Sequence, residues 1–156
     1  MTSPTTQPAA SGSSLAPSPT AAPLPPAEST AAQAALAGEH AAVWAYAVVT
    51  ARVPASATAR ALNDLAAHRA ARDALEQALV GRGATPVAAR PGYEVPGSAA
   101  AVLAAGVEDR LAAVYLDLVQ VASAGELLAL AGRGVRDCAV RAARWRGSGV
   151  AFPGNP

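Results

Sequence analysis

Lysine is missing altogether. All 12 basic side chains are arginine, which removes Schiff-base chemistry by a lysine amine. Cysteine is almost missing: Cys138 stands alone, so neither a disulfide within the chain nor a cysteine-cluster metal site can form. Aromatic residues are only 4%, so an interior has to be assembled mainly from Ala, Leu and Val, whose small side chains let helices come close. Charged residues are 15% and the formal net charge is +1, a balance with no strong field to attract nucleic acid or acidic lipid. The longest apolar run, Ala41–Val49, falls far short of the about 20 residues a membrane-crossing helix needs. No arginine precedes Arg52, so the start of the chain lacks the positive region of a secretory signal, and the expected location is the cytoplasm.

What is present is enough apolar material, 52% of 156 residues, for one domain with a core. Residues 1–28 are set apart by Pro, Ser, Thr and Ala with almost no large apolar side chains. Such a segment cannot bury enough surface to offset its ordering entropy and is expected to be disordered. The bundle proper is expected over 29–147, with a tail over 148–156 in which Val150 and Phe152 can fold back onto it.

The spacing predicts four helices. The first starts at Ser29 or Thr30 as a cap and runs to about Arg52, with Ala32, Leu36, Glu39, Val43, Tyr46 and Thr50 on one face. Glu39 therefore lies on a buried stripe, and Gly38 beside it suits close contact with a neighbouring backbone. Pro54 stops this helix. The second, capped by Ser56 or Thr58, runs to about Val80 and places His68 and Arg72 among Leu62, Leu65, Leu75 and Leu79. Arg69 and Asp73 form an ordinary surface pair on its other side. The third is capped by Ser98 and runs to about Ala122, with Leu103, Val107, Leu111, Val114, Leu118 and Val121 inward and Glu108 beside them. The fourth runs from about Ala124 to Arg146 along Leu127, Leu128, Ala131, Val135, Cys138, Ala142 and Trp145, with Asp137 and Arg141 at its edge.

The links are short, long and short. Short links force antiparallel hairpins. The long link, from Gly83 to Gly97, holds three prolines. About 15 extended residues reach roughly 50 Å, against roughly 37 Å for a helix of about 25 residues. It can thus travel the length of a bundle. The fold expected is all-α: an antiparallel four-helix bundle, ferritin-like, two helical hairpins joined by a long crossover loop. A plain up-down-up-down bundle is the alternative.

The segments EHAAVWAY, AHRAARDAL, EDRLAA and AVRAARW, one per helix, with the late AFPG segment, resemble the ferritin-like domain of unknown function found in actinobacterial proteins. The resemblance spans roughly Thr30–Gly154. It implies a small ferritin-like bundle and supplies no catalytic residues.

Ferritin-like di-iron sites take a Glu from each of two helices and a Glu-x-x-His from each of the other two. Glu39 and Glu108 stand where the first and third helices would supply carboxylates. His68 could be the imidazole of the second, but Leu65 occupies the position of its Glu and Asp64 is a residue too early. The fourth helix has no histidine; its nearest carboxylate is Asp137. Arg72 and Arg141 would repel a cation. The expectation is a hydrogen-bonded ionic cluster of Glu39, His68, Arg72, Glu108, Asp137 and Arg141, because buried charges must be paired and arginine bridges carboxylates. No catalytic residue and no cofactor are expected. The alternative is a metal-binding, oxidoreductase-like protein with iron, manganese or zinc on Glu39, His68 and Glu108.

His40 reads as a surface or interface histidine. Trp44, Tyr46, Tyr115 and Trp145 read as packing residues, and Cys138 as an inert buried thiol. No nucleophile elbow or phosphate-binding glycine pattern occurs. The arginines late in the fourth helix complement its dipole, and the lack of alternating aromatics disfavours nucleic acid. A binding or assembly role is preferred to catalysis, with a homodimer through alanine-rich helix surfaces that leave Trp44 or Val48 outside.

Overall fold

The computed structural model describes residues 22–123 and 125–149. Within them lie four helices: α1 (Pro26–Arg52), α2 (Ala55–Val80), α3 (Ala100–Val121) and α4 (Glu126–Arg146). The disordered segment expected at the start falls, over 1–21, outside the described residues, as does the tail with Val150 and Phe152. Residues 26–28, expected with that segment, are helical instead, and Glu28 is buried.

Helix starts depart from expectation in one consistent way: none of the four has a side-chain cap. Pro25 and Pro26 open α1, because proline has no amide to leave unsatisfied in the first turn and its φ is already helical. Ser29 and Thr30 therefore sit inside the helix, and the Thr30 hydroxyl donates back to the Pro26 carbonyl at 2.9 Å. Pro54 takes the capping position of α2 where Ser56 or Thr58 was expected, and Ala99 that of α3 in place of Ser98. Gly147, in the left-handed region at φ 80°, closes α4 with its amide on Ala143 O at 2.8 Å.

The helix order around the bundle is α1, α2, α4, α3, so α2 and α3 lie across one diagonal and α1 and α4 across the other. An up-down-up-down bundle would place α2 beside α3; the crossover arrangement separates them. The direction is fixed by side-chain pairs. Tyr46 meets Glu108 while Glu39 meets Tyr115, so α3 runs antiparallel to α1. Residues 81–99 climb along α1. Gln33 holds Thr85 O and Val87 N at 2.8 Å each near one end, and Arg52 holds Pro96 O at 3.1 Å near the other.

The core is alanine and leucine, with Leu36, Leu75, Leu79 and Leu118 fully buried. Truncating one such leucine typically costs about 2–5 kcal/mol. The faces are narrower than expected: Leu62, Val121 and Leu128 are exposed, while Trp44, expected to be left outside, is 45% exposed. Glycine sets the tightest contact. A Cβ on Gly134 would lie 2.5 Å from the Tyr115 ring, so only glycine lets that ring lie against α4. Among the described residues no helix is long and apolar enough to cross a membrane.

Candidate functional site

All four helices send a charged or imidazole side chain into the middle of the bundle: Glu39 from α1, His68 from α2, Glu108 from α3 and Arg141 from α4. The first three are completely buried, and the Arg141 side chain is 12% exposed. His68 is the bridge. Its Nδ1 lies 2.8 Å from Glu39 Oε2 and its Nε2 3.0 Å from Glu108 Oε1. Arg141 Nε donates to the same Glu108 oxygen at 2.9 Å.

Two tyrosines complete the arrangement. The Tyr46 hydroxyl donates to Glu108 Oε1 at 2.5 Å, and the Tyr115 hydroxyl to Glu39 Oε1 at 2.6 Å. The Tyr46 and His68 rings lie 4.8 Å apart, centroid to centroid. Thus Tyr46 and Tyr115, which the spacing suggests are packing residues, serve as hydrogen-bond donors. The available signal was their position: Tyr46 is seven residues after Glu39 and Tyr115 seven after Glu108, each two turns along the same face.

The electrostatics follow from the partners. Burial alone would hold the His68 ring neutral. The hydrogen bonds to Glu108 and Glu39, and their charges, outweigh it and raise the ring to about 9. Burial would likewise raise Glu108, but His68 and then Arg141 hold its carboxyl below the ordinary value. Burial, then the neighbouring carboxylates, push both tyrosines well above theirs, so they act as donors only. At neutral pH two carboxylates face one imidazolium and one guanidinium, a sum of zero. Taking four charges out of water costs several kcal/mol each, and mutual pairing is what offsets it.

Arg72 and Asp137 are not in this cluster. Arg72 turns along the surface to Asp73 at 2.6 Å, which was expected to pair with Arg69, and Asp137 pairs with Arg136 at 2.9 Å. The reasons differ. Arg72 starts on the inner arc of α2, but its long stem carries the charge out to water. Asp137 precedes the buried Cys138, and one residue along a helix is a rotation of about 100° away from the core.

The donor set does not fit a metal ion. An imidazole with both nitrogens on carboxylates has no lone pair to give, and a guanidinium occupies the space a cation would need. Among the described residues no group of three or more His, Cys, Asp or Glu side chains could hold a metal ion. Among the described residues one buried side-chain oxygen stands apart: Glu108 Oε2 has no hydrogen-bond partner there, while Oε1 takes three donors. Cys138 lies beside the cluster, with Arg141 Nη2 3.4 Å from its sulfur. Burial, then Glu108, push its thiol well up, which suppresses the reactive thiolate.

Two more acids are buried, and one of them, Asp64, lies a turn before His68 and near enough to feel Glu108, Arg141 and His68. Asp64 accepts from the Trp145 indole at 2.8 Å, and burial raises its carboxyl. Glu28 accepts from Ser123 at 3.0 Å. His40 lies under the crossover loop, 3.1 Å from Val87 O and 3.8 Å from Glu76.

Comparison with known proteins adds the following. Residues 31–156 match the family described as "Domain of unknown function (DUF4439)". A solved structure, that of the conserved hypothetical protein rv2844 from Mycobacterium tuberculosis, is 31% identical with a TM-score of 0.75, over 81% of this chain and 97% of that one. No curated protein matches.

Proposed function

The chain belongs to the DUF4439 family, and we propose that it is a ferritin-like bundle holding a self-neutralising ionic cluster where di-iron relatives hold metal. Its role on this reading is binding or assembly, not catalysis. The crossover arrangement of two hairpins supports the ferritin-like assignment. The observation that carries the reading is His68, whose two ring nitrogens are each bonded to a buried carboxylate. Catalysis at this point would need a group held ready and reachable. Here one hydroxyl or cation already meets each carboxylate, and the thiol and both phenols are held protonated.

Elemental analysis of protein purified without chelator, after growth with added iron, manganese and zinc, tests it. The expected content is well below one ion per chain. Stoichiometric iron, manganese or zinc would overturn the reading in favour of a metal-dependent oxidoreductase, with Glu108 Oε2 as the first ligand. Assembly enters as a homodimer through the alanine-rich helix surfaces. A light-scattering mass of one chain removes that part.

A further inference from the structure

The crossover segment is tied to α1 at both ends, and between them Tyr93 reaches Trp44 and Val95 packs on the core. Beneath it, between α1 and α3, is a cavity of about 830 Å³. That volume lies in the range of small-molecule sites, roughly 300–1,000 Å³. Its floor is apolar, from Val107, Leu111 and Val114 on α3. Its wall is aromatic: the Trp44 and Tyr93 rings lie 6.1 Å apart, tilted by 54°. Trp44 is the largest apolar side chain left exposed, at 45%.

The charges around this cavity are not balanced. Arg90 and Arg110 line it, opposed by the single acid Glu94. Neither arginine makes an ion pair among the described residues, so both charges at the cavity are without a carboxylate partner within 4 Å. The Arg90 guanidinium lies 5.8 Å from the Tyr93 ring centre, and the Tyr93 hydroxyl is fixed by the Arg90 amide at 3.0 Å. A ligand with a flat apolar body would stack on the aromatic wall. A single anionic group on it would be met by the two guanidiniums.

We infer that this cavity binds a small amphipathic anion, an aromatic carboxylate or sulfonate, between the crossover segment and α1 and α3. The inference rests on the binding role proposed above and names its ligand class. It uses none of the cluster residues.

The test uses the full chain and two fluorescent probes, anilinonaphthalene sulfonate and the uncharged phenylnaphthylamine. The expected result is saturable binding of the sulfonate at one site per chain. Replacing both Arg90→Gln and Arg110→Gln should weaken sulfonate binding about tenfold, as expected for losing a charge-assisted contact, and leave the uncharged probe unchanged. Trp44→Ala should weaken both probes. Far-ultraviolet circular dichroism shows whether each variant keeps its helices. Absence of saturable binding by the folded wild type would overturn the inference, as would sulfonate affinity that ignores the arginine pair. Metal content measured on the same sample reads the cluster separately, so either proposal can fail while the other stands.

Discussion

The middle of the bundle and the space under the crossover segment both gather arginine, acid and aromatic side chains, yet they are opposite in kind. In the middle, Arg141 and His68 meet Glu108 and Glu39 with no water-exposed surface on either acid, and two tyrosine hydroxyls fill further acceptor positions. Under the crossover, Arg90 and Arg110 outnumber Glu94 around open volume. Polar groups that satisfy one another hold a fold together. An excess of one sign beside an apolar cavity is left for something else to satisfy. The same residue types thus carry a structural role in one place and a recognition role in the other, and the distinction lies in pairing.

The comparison breaks most readily at His68. His68→Leu leaves two buried carboxylates with one cation and should cost about 3–5 kcal/mol in urea unfolding. Sulfonate binding under the crossover should persist at denaturant concentrations where the variant is still folded. A pH series sharpens the same point. The folded His68 ring, at about 9, lies above its ordinary 6.5. Its stabilisation is therefore fully present below pH 6.5 and fades as pH rises through 9, by about 3 kcal/mol in total. On the acid side, Glu108 lies below its ordinary value, so its contribution is present above pH 4.5 and is lost as pH falls through the folded value. His68→Leu should abolish the alkaline loss and also shrink the acid one, because His68 is the main group holding Glu108 down against its burial.

Smaller effects follow. Gly134→Ala drives a methyl group into the face of the Tyr115 ring and should cost about 1–3 kcal/mol, even though alanine is the better helix former. Gly38→Ala meets only the end of the Leu111 side chain, which can turn into the cavity, and should cost less. Thermal unfolding of the two variants ranks them; equal losses would argue against a tightly held Tyr115. The smallest effects belong to Arg72→Ala and Asp137→Ala, each expected within about 0.5 kcal/mol because their ion pairs are exposed. A loss of several kcal/mol at either would place that residue in the core after all.

The sequence carried the fold well because its physical signals were redundant. Four apolar stripes, a proline stop after α1 and one long link between short ones leave few ways to build the bundle, and the crossover follows from reach. The caps differ from the Ser and Thr positions because those residues are only one way to start a helix, and Pro25 and Pro54 use another. In the cluster, Glu39, His68 and Glu108 could be placed on or beside inward faces from helical spacing, and Arg141, at the edge of its face, by the need of buried carboxylates for a cation. Arg72 could not, because a long side chain decides its own end point. Tyr46 and Tyr115 were visible as core residues, but that their hydroxyls reach the carboxylates depends on distances between helices, which include the glycine at position 134. The cavity under the crossover had no signal in the chain's periodicity, since its aromatic wall pairs a helix residue with a loop residue.

Nitrogen NMR of the imidazole rings, with His68→Leu to assign the signals, addresses the cluster most directly. The account predicts that both His68 nitrogens carry protons at pH 7.5 and keep them until pH approaches 9. A His68 ring with one bare nitrogen at pH 7.5 would contradict it, because a lone pair facing a buried carboxylate means that the acid holds the proton or that an ion stands between them.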